Sequence, residues 1–452
     1  MDLSRRGFLA GSAGAATLLG LSACTSVHSN SGTTDATVKA SGSTGAKSSL
    51  GPQTGQLTFA FWGGSTGETA GFNYVKQKFE AANPGAKITL KVVPYDGFFA
   101  GIDRGIQAGN APDIFRVDYT TMGKYSSAGA LMDLTQYFSS SDIDAFLPAL
   151  WDAIKYQNIP FGVPHQTDCT AIVYDKDAFA SAGITSVPDS LANAWSWDEF
   201  SQVATKLRSA LPASKFPFAY DWTKAGAYRW LSFLYQAGGS LLTPDLKKSA
   251  LPSAAGTKAL DFTKSFFTNK WVPASNTIKG AKYSDEFFLG KTVPMTFIGD
   301  FLVPEIADPK SGYKGNWGVT FMPKDTAAAT DLGGNAIVAN KATKNPDLAA
   351  AFLKFIVSED SMKYFCEQAI ELPTLKSLAS SSLSYATAPD AVKVFAQQAT
   401  TLSQTITTET SVPAFSKINT LLQDQLELAF NGQATAKTLQ AIADGVNTSI
   451  GS

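Results

Sequence analysis

The chain has 452 residues, 44% of them hydrophobic, 12% aromatic and 17% charged, with a formal net charge of −1. That is enough apolar material for two packed domains. The near-neutral charge, with no body Lys/Arg cluster longer than the pair Lys247-Lys248, argues against a nucleic acid partner. Only two histidines, His28 and His165, and no Cys-x-x-Cys leave a metal without a ligand set, and no cofactor motif is present.

Chain order begins with processing signals. Ser4-Arg5-Arg6-Gly7-Phe8-Leu9 reads as a twin-arginine export signal, and the weakly apolar run behind it ends in Leu21-Ser22-Ala23-Cys24, a lipobox. Residues 7–23 are too short and too rich in Gly, Ala and Ser to span a bilayer. The expectation is removal of residues 1–23 and lipidation of Cys24, which anchors the protein to the outer face of the cell membrane. Residues 24–55 are mostly Ser, Thr, Gly and Ala, a lipidated flexible tether with a reach on the order of 30 Å.

Beyond the tether, strands alternate with helices. Leu57–Trp62 reads as a strand closed by Gly63-Gly64. Phe72, Val75 and Phe79 then recur at helical spacing up to Asn83-Pro84-Gly85. Ile88–Val93, Ile114–Val117 and Thr170–Tyr174 read as strands, with Asp118 where the second of these ends. Ser196-Trp197-Asp198-Glu199 is a capping box, and Asn345-Pro346 a cap with a first-turn proline. A late helix carries Ile418, Leu421, Leu422, Leu426 and Phe430, with Gly432 past its end. The pattern predicts an α/β protein with mostly parallel sheets and a ligand site at strand C-termini. Cys169 and Cys366 are either free buried thiols or a pair.

The order of segments resembles the bacterial extracellular solute-binding proteins that serve sugar ABC transporters, the maltose-binding-protein-like family. The pieces are Phe61-Trp62; Phe79-Glu80-Ala81-Ala82-Asn83-Pro84-Gly85; Pro112-Asp113-Ile114; Ser127–Leu134; Gly162-Val163-Pro164 leading to Val173–Phe179; Trp197-Asp198-Glu199-Phe200; Ala237-Gly238-Gly239; Phe288–Lys291 through to Gly299-Asp300-Phe301; Gly333-Gly334; and Leu372-Pro373-Thr374. The resemblance implies a two-lobe periplasmic-binding-protein-like (type II) clamp with several inter-lobe crossings. Placed by motif, lobe one holds 56–165 and 336–371, and lobe two 166–335 and 372–452. It also implies a monomer, a carbohydrate ligand in the cleft, and ABC transporter permease subunits as partners. The family often places Trp after Gly-Asp, where this chain has Phe301.

Chemistry narrows the site. Sugar ring faces pack on aromatic rings, while hydroxyls need polar partners at strand ends and Gly-rich turns. Trp62 with Gly63 and Gly64 fits such a platform, or is a strand-end core residue. Asp118 with Tyr119 is a ligand group or a helix cap. Gln166 and Asp168 follow the first crossing, with Asp168 either accepting sugar hydroxyls or making a structural hydrogen bond; the neighbouring His165 is a hinge residue. Trp222 is the better stacking candidate of the Trp222, Trp230 pair, since Trp230 has helical spacing to Phe233 and Leu234. Gly299-Asp300-Phe301 supplies a carboxylate with an aromatic, and Gly334-Asn335 a close backbone approach.

Two other readings compete. The same aspartates among aromatics suit a polyamine or other cationic solute. An exported glycosidase needs two carboxylates about 5–10 Å apart, and Asp118, Asp168 and Asp300 are its only candidates; no nucleophile elbow or zinc spacing accompanies them, so the chain reads as no enzyme. Anionic ligands have only Arg104, Arg116 and Arg229 as forks. The anchor is directly testable. Cys24→Ala is expected to give a folded, unlipidated protein that is released or held as precursor. Wild-type membrane retention of this variant in detergent partitioning contradicts the lipobox.

Overall fold

The computed structural model describes residues 50–451 apart from Lys224; the export signal, Cys24 and residues 25–49 of the tether lie outside the described residues. The strands are β1 (Thr54–Trp62), β2 (Gly85–Val93), β3 (Ile114–Asp118), β4 (Lys155–Tyr156), β5 (Ile159–Pro160), β6 (Gly162–Thr167), β7 (Thr170–Asp175), β8 (Ala219–Tyr220), β9 (Met295–Gly299), β10 (Trp317–Thr320), β11 (Asn335–Ala339) and β12 (Leu372–Pro373). They form a six-stranded sheet, β12-β6-β11-β3-β1-β2, a four-stranded sheet, β10-β7-β9-β8, and the small hairpin β4-β5. No helix among the described residues is long and apolar enough to cross a membrane.

The local signals that build these elements are visible in the sequence. The helix Thr66–Ala82 buries Phe72, Val75 and Phe79, and it begins six residues before the first of them because Ser65 and Glu68 form a capping box. Ser196 and Glu199 cap Trp197–Ala210 as expected. Asn345 does not cap by its side chain: that amide instead donates to the Gln56 carbonyl at 3.0 Å, stapling the start of β1. The helix Phe415–Phe430 buries Ile418, Leu422 and Leu426.

The sheets are mixed rather than mostly parallel. β1 runs parallel to β2 and β3, and β8 parallel to β9, but β11 is antiparallel to β3 and β6, and β7 is antiparallel to β9 and β10. A parallel neighbour needs a crossover that returns to the starting edge of the same sheet. Here β6 runs directly into β7 of the other sheet, and β11 returns the same way, so the returning strand lies in reverse. The division by motif also shifts: Gln166 and Thr167 stay in the six-stranded sheet, and Leu372 and Pro373 pair with them there.

The two crossings lie against each other. Gly333 N–H donates to the Asp168 carbonyl at 3.2 Å, Thr167 Oγ1 donates to the Gly333 carbonyl at 3.2 Å, and Thr170 N–H reaches Thr330 Oγ1 and Asp331 Oδ1, each at 3.2 Å. A Cβ on Gly333 would stand 2.0 Å from Asp168 Oδ1. On Gly334, with φ +96°, it would stand 2.4 Å from Thr167 Cα. These glycines thus let the two crossings pack closely. Cys169 and Cys366 are buried free thiols. Gly333→Ala or Gly334→Ala is expected to cost about 1–3 kcal/mol through strain, read as a lower melting temperature. Gly51→Ala, in open space, should leave it unchanged.

Candidate functional site

At one edge of the six-stranded sheet the C-terminal ends of β1, β3 and β6 meet the N-terminal end of antiparallel β11. Together they present Trp62, Asp118, Gln166 and Asn335. Facing them are residues that follow β8 and β9 of the other sheet. Between lies a cleft of about 410 Å³, within the usual size of ligand pockets. The helix Phe415–Phe430 closes one side: Ser416 Oγ donates to the Thr120 carbonyl at 3.3 Å, and Asn419 Nδ2 to the Ala225 carbonyl at 2.7 Å.

Trp62 lines the cleft and is a packed ring. Tyr95, Phe98 and Phe99 meet it edge-on at 5.1–5.7 Å between centroids. The Arg116 guanidinium sits 4.6 Å from its ring, and Arg116 Nη1 donates to the Trp62 carbonyl at 3.1 Å. Arg116 is in turn held by Glu68 at 2.5 Å, both being buried. A buried charge so paired fixes the ring's orientation, and the loss of either partner strands the other.

Asp118 occupies the N-cap position of Tyr119–Ser127 but makes no side-chain cap bond. Its carboxylate instead accepts from Tyr95 Oη and Asn335 Nδ2, each at 2.8 Å. Asn335 Oδ1 accepts from Gln166 Nε2 at 2.6 Å, and Tyr119 Oη donates to the Gln166 carbonyl at 3.2 Å. This chain of bonds orients four of the expected site residues as a unit. Burial pushes the Asp118 carboxyl up to about 6 against the opposing pull of Tyr95 and Arg116.

Asp168 lies at the crossing, 3.7 Å from Arg229 Nη2. Arg229 also stands 3.7 Å from Asp221 and 3.4 Å from Asp331. Burial raises Asp168 to about 7; Arg229 opposes the rise and Asp331, Asp118 and Asp221 add to it. Burial likewise raises Asp221 to about 6 and holds Asp300 and Glu371 well above the usual carboxylate range. Thr167, Asp168, Cys169, Thr330 and Asp331 also line a second cavity of about 610 Å³, so Asp168 and its neighbours separate two spaces.

The structure therefore brings Trp62, Gly64, Asp118, Tyr119, Gln166, Asp168, Phe301, Gly334 and Asn335 to the cleft. Others lie elsewhere. Trp222 is fully buried, donates from Nε1 to the Asn276 carbonyl at 3.0 Å and packs on Phe430. Trp230 is fully buried with Nε1 donating to Thr263 Oγ1 at 3.0 Å. Each indole finds its polar partner inside the core, which removes any need for the cleft. Asp300 is buried, accepting from Cys169 N–H at 3.0 Å, and Gly299 leaves room for the Phe301 ring. Gly63 is exposed beside the cleft and does not line it. His165 stacks on Phe72 at 5.3 Å and meets Phe365 at 4.3 Å, a core ring whose burial lowers its pKa well below the usual value.

Sequence reasoning missed Tyr95, Tyr228, Tyr283 and Glu371 as lining groups and considered Arg229 only as an anion fork. Two had local signals. Glu371 directly precedes the Leu372-Pro373-Thr374 motif, and Arg229 neighbours the chosen Trp230.

Comparison with known proteins agrees with this geometry. A family model described as bacterial extracellular solute-binding protein matches residues 63–363. A Brucella abortus chain described as a binding protein is 26% identical over 333 residues, covering 72% of this chain and 77% of that one. A maltooligosaccharide ABC transporter solute-binding lipoprotein of Streptococcus pneumoniae is 24% identical over 302 residues, 64% of this chain and 66% of that one. An ABC substrate-binding protein of Listeria monocytogenes, solved in complex with cycloalternan, superposes with a TM-score of 0.75 at 21% identity over 88% of this chain and 100% of that one.

Two predictions follow from the burial pattern. A carboxyl whose pKa is raised on folding keeps a proton that the unfolded chain releases, so its contribution is intact below about pH 4 and is lost as pH rises through the folded value. For Asp118 and Asp168 that window runs up to about 6 and about 7. Unliganded melting temperatures across this range should therefore fall more steeply with pH in the parent than in Asp168→Asn. An equal slope contradicts the assignment. Trp222→Ala should cost about 3–5 kcal/mol of stability while affinity per folded molecule, measured by calorimetry, stays unchanged. The two-lobe α/β architecture, the cleft between its sheets and the matched segment together place this chain in the bacterial extracellular solute-binding protein family.

Proposed function

We propose that the protein is the substrate-binding component of an ABC importer, capturing a mono- or oligosaccharide in the cleft and delivering it to permease subunits in the membrane. The observation that carries this reading is the alternation, around one cleft, of flat rings (Trp62, Tyr95, Tyr228, Phe301) with fixed polar groups (Asp118, Gln166, Asp168, Asn335). Rings take the C–H faces of a sugar and the polar groups its hydroxyls. The names of the Streptococcus and Listeria relatives, a maltooligosaccharide receptor and a cycloalternan complex, support the same class.

In this reading each sheet is the core of one lobe, and the lobes close over solute by bending at Asp168-Cys169, Thr330–Gly334 and Ile370-Glu371. The carboxylates act as acceptors for hydroxyls, not as the acid and base of a hydrolase. The protein works outside the cytoplasm, as its family does, and the lipid on Cys24 and the twin-arginine signal account for its export and retention at the membrane. It acts as a monomer, since one chain supplies both walls of the cleft.

Affinity is expected to come from Asp168 and Trp62. Losing one partner of a buried hydrogen bond costs about 1–3 kcal/mol, and losing an aromatic platform a comparable amount. Asp168→Ala and Trp62→Ala should thus each weaken sugar binding about ten- to a hundred-fold, measured by calorimetry after a thermal-shift sugar panel. Small-angle scattering should show the parent compacting with saturating sugar. Wild-type affinity in folded Asp168→Ala removes that residue from the site, and an unchanged radius of gyration counts against closure.

A further inference from the structure

Among the described residues the cleft floor is short of hydrogen-bond donors. Among the described residues, the buried side-chain atoms without a hydrogen-bond partner at the cleft and around Arg229 behind it are mostly acceptors: Gln166 Oε1, Asp168 Oδ1, both oxygens of Asp221, Asp331 Oδ2 and Glu371 Oε2. Arg116 Nε and Arg229 Nε stand against them. Native structures rarely leave such atoms unsatisfied without a reason. Of these, Gln166, Asp168 and Glu371 line the cleft directly.

Among the described residues the floor is also short of positive charge. Arg116 is taken by Glu68 at 2.5 Å, and Lys124 by Asp103 at 2.7 Å. Among the described residues Arg229 alone faces Asp168, Asp221 and Asp331, at 3.4–3.7 Å, and the facing atoms Arg229 Nε, Asp168 Oδ1, Asp221 Oδ2 and Asp331 Oδ2 make no hydrogen bond. One guanidinium cannot neutralise three carboxylates, and Asp118 and Glu371 add further acidity at the same cleft. The upward shifts of Asp118 and Asp168 have burial as their main cause, and a cation beside them would stabilise their charged forms.

We propose that the cleft is matched to a saccharide bearing an amino group, held as its ammonium ion beside Asp168, in preference to the neutral sugar of the same stereochemistry, and that it rejects acidic sugars. The inference rests on the saccharide reading and narrows its substrate class. An ammonium group brings donors for the unpartnered oxygens and the charge that Arg229 alone does not supply. Hydrogen bonds between charged groups are roughly twice as strong as neutral ones. The rings of Tyr228 and Phe301, already 5.0 and 5.6 Å from the Arg229 guanidinium, show that this wall accommodates cations. A sugar carboxylate, phosphate or sulfate would meet Asp118, Asp168 and Glu371 with the nearest guanidinium already shared.

The test uses the full mature chain and a panel of mono- and oligosaccharides in which each neutral sugar is accompanied by its amino and uronic acid counterparts. Thermal shift ranks them and calorimetry gives affinities, at a pH where the sugar amine is protonated. Amino sugars should bind about tenfold or more tightly than their neutral counterparts, and acidic ones about tenfold or more weakly. Amino-sugar binding should also release protons, read as a dependence of the heat on buffer ionisation enthalpy. Asp168→Asn should reduce the amino-over-neutral preference to about onefold; Asp118→Asn is measured as well, and a smaller preference in it supports the same conclusion if Asp168→Asn does not fold. Neutral sugars binding as tightly as amino sugars, or acidic sugars binding best, overturns the inference and leaves the saccharide reading standing. Binding by no sugar of any charge overturns both.

Discussion

The structure depends on the close contact between the two chain crossings. Thr167–Thr170 and Thr330–Gly334 lie side by side, tied by backbone bonds and by the side chains of Thr330 and Asp331. The contact exists because Gly333 and Gly334 carry no Cβ where one would overlap Asp168 and Thr167. Everything functional is positioned from this seam. It sets the antiparallel entry of β11, brings Asn335 beside Asp118 and Gln166, and places Asp168 at the edge of the cleft.

A second constraint is electrostatic. Buried carboxylates at the seam share the guanidinium of Arg229, while Arg116 is committed to Glu68. Such an arrangement is costly in a dry interior unless protons, counter-charges or ligand donors complete it. The raised pKa values of Asp118, Asp168 and Asp221 express that cost. The seam thus links stability and pH through the same few groups.

Aromatic residues divide between two tasks. Trp222 and Trp230, with Phe266, Phe267 and Phe430, fill the core under the four-stranded sheet. Trp62, Tyr95 and Phe99 instead make an edge-packed cluster lining the cleft. Composition does not separate these places, because a buried indole with an internal acceptor and an indole lining a cleft have the same local sequence signals.

Much of this was legible in the chain itself. Period, the capping box at Ser196 and the first-turn Pro346 located β1, β3, β7 and the helices after Ser196 and Asn345, and segment order identified the family and the two-lobe architecture. Strand ends pointed to Trp62, Asp118, Gln166, Asp168 and Asn335, since residues leaving a strand next to a crossing face the space between sheets. Tertiary structure alone decided the rest. It set strand direction, which depends on how the chain re-enters a sheet. It chose Asp221 over Trp222 to face Arg229, because neighbouring side chains at a strand end point to opposite sides. It brought in Tyr95, Arg229 and Glu371, which are far apart in sequence and become neighbours only when the two crossings pack together. Local sequence records periodicity and capping because these are contacts within a few residues; the cleft's charge balance is a sum over distant segments, and only the folded chain performs it.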